Sequence, residues 1–194
     1  MTSDEIIQQL KQGNQRFAED KSLGAHRSRN WRAQLIEGQH PIATILGCSD
    51  SRVPVELLFD QGFGDLFVIR VAGNIVDKHV VGSIEYAVKH LGTQVLLVLG
   101  HTHCGAITAA VSTEPLNEPE EIEDLLVSVR RGTKDVDPNL PLRERVSIGV
   151  IENVRFGVDE LNQVSNLRDS IQADQLTVIG GVFQLETGRV DFLS

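Results

Sequence analysis

Two segments of the chain, PIATILGCSDSR at 41–52 and VLLVLGHTHCG at 95–105, run through apolar residues for the length of a strand and stop at a glycine followed by polar chemistry. A continuous run of Ile, Val, Leu and Ala closed in this way reads as a strand buried on both faces, which is the habit of parallel sheets. Cys48, His101 and Cys104 therefore stand at the carboxyl ends of two such strands. In an open α/β sheet the crevice beyond those ends is where ligands and catalytic groups collect.

The rest of the chain alternates around these runs. Residues 2–19 have helical spacing, opened by Thr2 and Glu5 in a capping-box arrangement, with Ile6, Ile7, Leu10 and Phe17 on one face. A second helical piece covers 29–36. Neither is apolar enough to stand alone, so residues 1–38 read as a helical arm that lies on its own domain or on a second subunit. From Pro41 follow a strand at 42–47, a helix opening near Pro54, a strand at 66–71 and a turn at Ala72–Asn74. A helix from Gly82 to His90 stopped by Gly92, a strand at 94–99 and a helix from Ala106 to Val111 come next. This alternation predicts an α/β fold with a mostly parallel central sheet, helices on its faces and right-handed crossovers. Residues 113–124 and 136–141 read as exposed loops. Residues 142–167 read as one long helix burying Val146, Val150, Val154, Val158 and Leu161. The closing LTVIGGVF, ETG and RVDFL predict a hairpin that adds an antiparallel C-terminal edge strand.

With 194 residues and a hydrophobic share of 41%, the chain suits a single domain spanning 1–194. The formal net charge of −9, with no basic patch, argues against nucleic-acid binding. The chain opens on acidic and polar residues rather than a basic and then apolar stretch. No apolar run nears the roughly 18 residues of a membrane span, so a cytoplasmic protein with no membrane partner is expected. The GFG at 62–64 precedes a strand instead of following one, and so is a turn and not a dinucleotide loop.

Both cysteines of the chain lie in the two focal segments. A disulfide between them is rare in a reducing compartment, and the polar groups crowded around each thiol speak against two inert buried ones. His101 and Cys104 form an H-x-x-C pair where a strand turns into a helix. With Cys48 they make three ligands that suit Zn²⁺, one ion per chain, and three ligands with an open fourth position describe a catalytic ion. Two thiolates and one imidazole cancel the charge of the metal, so water there gains less acidity than beside three histidines. Asp50 is placed to help by accepting a hydrogen bond from the attacking hydroxide, and Arg52 to keep Asp50 ionised and oriented through a forked ion pair. Asp50 can also swing onto the metal as a fourth ligand and close the site. His103, between two ligands, is expected to face solvent, and His26, His40, His79 and His90 carry no spacing signal.

CSDSR at 48–52, RVAGN at 70–74, GSIEYAV at 82–88 and HTHCGA at 101–106 together resemble the β-class carbonic anhydrases, in order and over nearly the whole chain. The resemblance implies zinc on Cys48, His101 and Cys104, with the Asp50–Arg52 dyad governing the fourth position. It further implies that Gln39, Phe67 and Tyr86 line a substrate pocket built across a subunit interface. A homodimer or higher even oligomer with an exchanged arm follows, acting on carbon dioxide and bicarbonate. Ile45 stands where members with a regulatory bicarbonate site carry Trp, so that regulation is not expected. Val71 replaces Asn, Thr102 replaces Ser, and Phe183 and Gln184 replace a Tyr–Asp pair. The alternatives are a carbonyl sulfide or carbon disulfide hydrolase on the same scaffold, or a non-catalytic zinc- or bicarbonate-binding module. Asp50 and Arg52 speak against the last, because a structural zinc needs neither.

Overall fold

The two apolar runs become the strands β1 (Ala43–Gly47) and β3 (Val95–His101), and every residue of both is buried. The structure, a computed structural model, describes residues 1–114 and 117–193. Among these, β2 (Leu66–Arg70), β4 (Thr177–Phe183) and β5 (Val190–Leu193) complete a five-stranded sheet of order β2-β1-β3-β4-β5. The first four strands run parallel and β5 is antiparallel to β4, which is the mostly parallel sheet with an antiparallel C-terminal edge that the alternation predicts.

Side chains along the central strands point alternately to two cores, as the period of two requires. Ile45, Leu97 and Leu99 pack on one face with Ile6 and Leu10 of α1 (Ser3–Ala18) and Leu58 of α3 (Val55–Leu58). Leu46, Leu96 and Val98 pack on the other. There they meet Ile84 of α4 (Lys78–Leu91), Ile107 of α5 (Gly105–Val111), Val129 of α6 (Glu120–Thr133) and Val154 of α7 (Leu142–Gln163). Both faces of the sheet are thus covered, which is why β1 and β3 read as unbroken apolar runs.

Some boundaries differ from the sequence expectation, each for a local reason. The helix expected from Gly82 opens at Lys78, because the Asp77 carboxylate accepts from His79 N at 2.7 Å and Val80 N at 2.8 Å. The acidic loop expected over 113–124 gives way to α6 at Glu120, whose Leu126, Val129 and Thr133 recur at helical spacing on the buried side. Pro115 and Leu116 of that expected loop lie outside the described residues. The long helix expected over 142–167 ends at Gln163. Val164 is extended, and α8 (Ser165–Gln172) starts afresh so that Leu167 returns to the core that also buries Leu161.

The helical arm divides in two. α1 carries the expected capping box at Thr2 and Glu5 and lies on its own sheet. Asn14 donates to the carbonyls of Leu58 and Gly188 at 3.1 and 2.9 Å and accepts from Val190 N at 2.8 Å. The segment after α1 is tied by Asp60, which accepts from Arg16 at 2.7 Å, Leu23 N at 2.9 Å and Gly24 N at 3.1 Å. α2 (Arg29–Gln34) has no buried residue. Beside it His26, which carries no spacing signal, is exposed, stacks on Trp31 at 3.8 Å and bonds Asp65 at 2.8 Å.

The docking of α1 is tight enough to test. A methyl group on Gly13 would sit 1.9 Å from the carbonyl oxygen of Phe59. Alanine in an undocked helix gains about 0.5–1 kcal/mol over glycine. Gly13→Ala is instead expected to cost about 1–3 kcal/mol through overpacking, read from urea unfolding. A net stabilisation would mean that α1 does not rest on this surface.

Candidate metal centre

The order β2-β1-β3 means that the chain leaves β1 to one side for β2 and returns on the other side for β3. The crevice where that direction reverses lies beyond the carboxyl ends of β1 and β3. Cys48 immediately follows β1, His101 is the last residue of β3, and Cys104 caps the start of α5. The register pairing Gly47 with Leu99 places Cys48 within one residue of His101 along the sheet. His103 adopts a left-handed backbone (φ 56°), which turns the chain tightly enough for His101 and Cys104 to converge while His103 points outward. As expected, His103 is largely exposed, and it bonds Glu186 at 2.6 Å.

The ligand-type atoms of Cys48, His101 and Cys104 all lie within 4.8 Å of one another, and all three residues are buried. Nδ1 of His101 faces the Thr102 carbonyl at 2.9 Å and must donate to it, so the proton sits on Nδ1 and Nε2 carries a bare lone pair. That Nε2 is buried without a hydrogen-bond partner. An orphaned imidazole nitrogen facing two thiols is costly unless a cation completes it. The residues therefore fit a soft-to-borderline divalent metal.

The thiols themselves anticipate such an ion. Cys48 is pulled well below the usual thiol range, first by its hydrogen bond with Cys104 and against the effect of burial. Cys104 is pushed up by Cys48 and by burial, since two bare thiolates side by side repel. A divalent cation between them removes that repulsion and lets both ionise.

Asp50 and Arg52 stand at the mouth of the cluster. Arg52 donates Nε to Oδ1 at 2.9 Å and Nη2 to Oδ2 at 2.7 Å, while its own backbone N–H donates to Oδ1 at 2.9 Å. The fork holds the Asp50 carboxyl far below the usual carboxylate range. Oδ2 is also 3.8 Å from the bare Nε2 of His101, beyond hydrogen-bond reach. The dyad is thus formed with Asp50 turned to Arg52.

Sequence reasoning assigned no role to Arg70. Its Nε donates to the Cys48 carbonyl at 2.9 Å and its Nη2 to the Asp50 carbonyl at 2.6 Å, so it clamps the backbone that carries both. The signal was its place at the carboxyl end of a strand adjacent to β1. The residues that the resemblance proposed for a substrate pocket lie on elements that carry none of the cluster. Gln39 follows α2 in a shallow hollow with Arg32, Leu35 and Phe63. Phe67 on β2 and Tyr86 on α4 touch each other, with ring centres 6.2 Å apart.

Among the described residues, no helix is long and apolar enough to cross a membrane. Residues 43–190 match the carbonic anhydrase family. The chain is 37% identical over 196 residues to carbonic anhydrase 2 of Mycobacterium tuberculosis, covering 93% of this chain and 87% of that one. It is likewise 37% identical to a carbonic anhydrase of Mycolicibacterium smegmatis, covering 95% and 90%. A tetrameric β-carbonic anhydrase of the ascomycete Sordaria macrospora superposes with a TM-score of 0.78 at 29% identity, over 94% of each chain.

The triad is open to direct assay. His101→Ala is expected to lose stoichiometric metal, whereas Asp50→Asn is expected to retain it, as metal analysis of the purified variants will report. Chelation of the native protein should lower its melting temperature, because an ion that binds only the folded chain stabilises it. Metal retained in full by His101→Ala would remove the triad as the site. The matched motifs, the fold and the clustered Cys48, His101 and Cys104 agree, and this chain belongs to the β-carbonic anhydrase family.

Proposed function

We propose that the chain catalyses the reversible hydration of carbon dioxide to bicarbonate and a proton, with one Zn²⁺ held by Cys48, His101 and Cys104. The observation that carries this reading is the fork of Arg52 on Asp50, which sets an ionised carboxylate 3.8 Å from the free nitrogen of a metal-type triad. Bound there, zinc supplies the Lewis acidity that makes a nucleophile of water near neutral pH. Asp50 accepts the hydrogen bond of the attacking oxygen and so turns its lone pair toward the carbon of carbon dioxide. Arg52 occupies both carboxylate oxygens, which keeps Asp50 charged and prevents its rotation. A closed state with Asp50 as fourth ligand requires that fork to break.

Gln39, Phe67 and Tyr86 complete the pocket in this reading, with Gln39 donating to the oxygen that becomes negative. Their place on elements that carry none of the triad favours a pocket finished by a second copy. Ile36, Phe63 and Tyr86 are exposed apolar residues around Gln39 and Phe67 that a partner would cover. The Sordaria enzyme is a tetramer, and a homodimer or higher even oligomer is proposed here. With α1 docked on its own sheet, α2 is the part of the 1–38 arm left to reach a partner. A single domain over 1–194 and a cytoplasmic location belong to the same proposal.

Arg52→Ala should keep its zinc yet lower carbon dioxide hydration on the order of 10²-fold, since it leaves the metal alone and frees Asp50 to turn. Unchanged turnover by stopped flow would sink the role of the dyad. Faster hydrolysis of carbonyl sulfide than hydration of carbon dioxide on the same preparation would transfer the reading to the alternative substrate. The pH profile follows from the sign of the Asp50 shift. A carboxyl held below its ordinary range stays charged at every pH above about 4, and protonates only as pH falls below that. A rate that declines between pH 9 and 6.5 is therefore expected to keep its midpoint in Asp50→Asn, though at lower amplitude, because another group titrates there.

A further inference from the structure

The metal-side thiolate of Cys48 has a backbone donor, and that donor is held in place from a distant helix. Gly73 N–H donates to Cys48 Sγ at 3.4 Å in a buried contact. Gly73 sits in a left-handed conformation (φ 68°, ψ 13°) in the turn after β2, where a methyl group would come within 2.8 Å of Val129 on α6. Its carbonyl, on the other side of the residue, accepts from Nδ2 of Asn153 on α7 at 2.9 Å, and this bond too is buried. Asn153 is itself only 4% exposed. Room for it is left by Gly132 of α6, where a methyl group would lie 2.6 Å from the Asn153 Oδ1. Three elements remote in sequence thus converge on the orientation of a single N–H group.

Resting on the reading of Cys48 as a metal ligand, we propose that Asn153 is a positioning residue for that thiolate. By holding the Gly73 carbonyl it aims the Gly73 N–H at Sγ, and so sets how much charge the sulfur gives to the metal. A hydrogen bond to a ligating sulfur lowers the energy of its lone pair and fixes its direction, and such outer partners typically change metal affinity by about 10–100-fold. Asn153 touches neither substrate nor metal and acts through Gly73 alone.

The test uses the full-length protein loaded with Co²⁺, whose thiolate-to-cobalt charge-transfer band reports the sulfur lone pair. Asn153→Ala should move that band to lower energy and speed loss of the metal to a chelator by about 10–100-fold. Val150→Ala, one turn away on the same helix and in the same core, should leave band position and release rate as in the native protein. Asn153→Asp keeps the shape while removing the N–H donor, and carries the same expectation if the alanine variant fails to fold. In the unmodified chain loaded with cadmium, the Gly73 amide proton should show scalar coupling to the metal nucleus through the hydrogen bond. A band and a release rate unmoved by loss of the Asn153 donor, or an uncoupled Gly73 amide, would overturn the inference while leaving the metal site intact. A native protein that takes up Co²⁺ with no thiolate band would instead overturn the metal reading, and this inference with it.

Discussion

The pairing of β1 with β3 is the interaction on which the rest depends. Its parallel register sets Gly47 beside Leu99, so Cys48, which follows Gly47, and His101, two residues past Leu99, leave the sheet within one residue of the same level. A slip of one residue would exchange the two faces of β3 and send Leu97 and Leu99 to the core that holds Val98. It would also part the ligands. Burial on both faces makes such a slip costly, and the precision of a buried metal cluster is thereby inherited from hydrophobic packing far from the chemistry.

The site built on that register assembles groups that are unfavourable apart. Two facing thiols, one pulled down and the other pushed up, and an imidazole nitrogen without a partner are a poor arrangement for a buried pocket with no cation in it. The chain tolerates them because the surrounding backbone is heavily constrained. Arg70 clamps the carbonyls of Cys48 and Asp50, Thr102 fixes the imidazole tautomer, and Arg52 fixes the carboxylate. An environment of this kind is preorganised, since little has to move when an ion or a substrate arrives.

Most of the framework was legible in the linear pattern. Unbroken apolar runs announced the buried strands, the capping pair Thr2 and Glu5 announced α1, and the C-x-D-x-R and H-x-x-C spacings announced the cluster. The differences between pattern and structure have physical causes. α6 was hidden because its first turn is acidic and follows a proline, so composition outweighed the helical spacing of Leu126, Val129 and Thr133. The break between α7 and α8 was hidden because an extended Val164 allows an apolar stripe to continue across two helices as if they were one. α4 starts four residues ahead of the expected Gly82 because the cap at Asp77 precedes its apolar face.

Local spacing was enough to bring His101 to Cys104 and Asp50 to Arg52, because residues two or three apart at the end of a strand cannot separate far, whereas Cys48 joins them only through the pairing of β1 with β3. Arg52 reaches Asp50 for that reason alone. Gln39, Phe67 and Tyr86, by contrast, are proposed for the pocket only by resemblance, and no local rule assigns them to a site. Nor does any pattern in the chain announce that Asn153, 80 residues after Gly73, holds its carbonyl, or that Gly132 makes room for it. Contacts of that kind arise where α6 and α7 close over one face of the sheet. The apolar stripes determine that the helices dock, but only the packed geometry decides which polar side chain on them meets which backbone group.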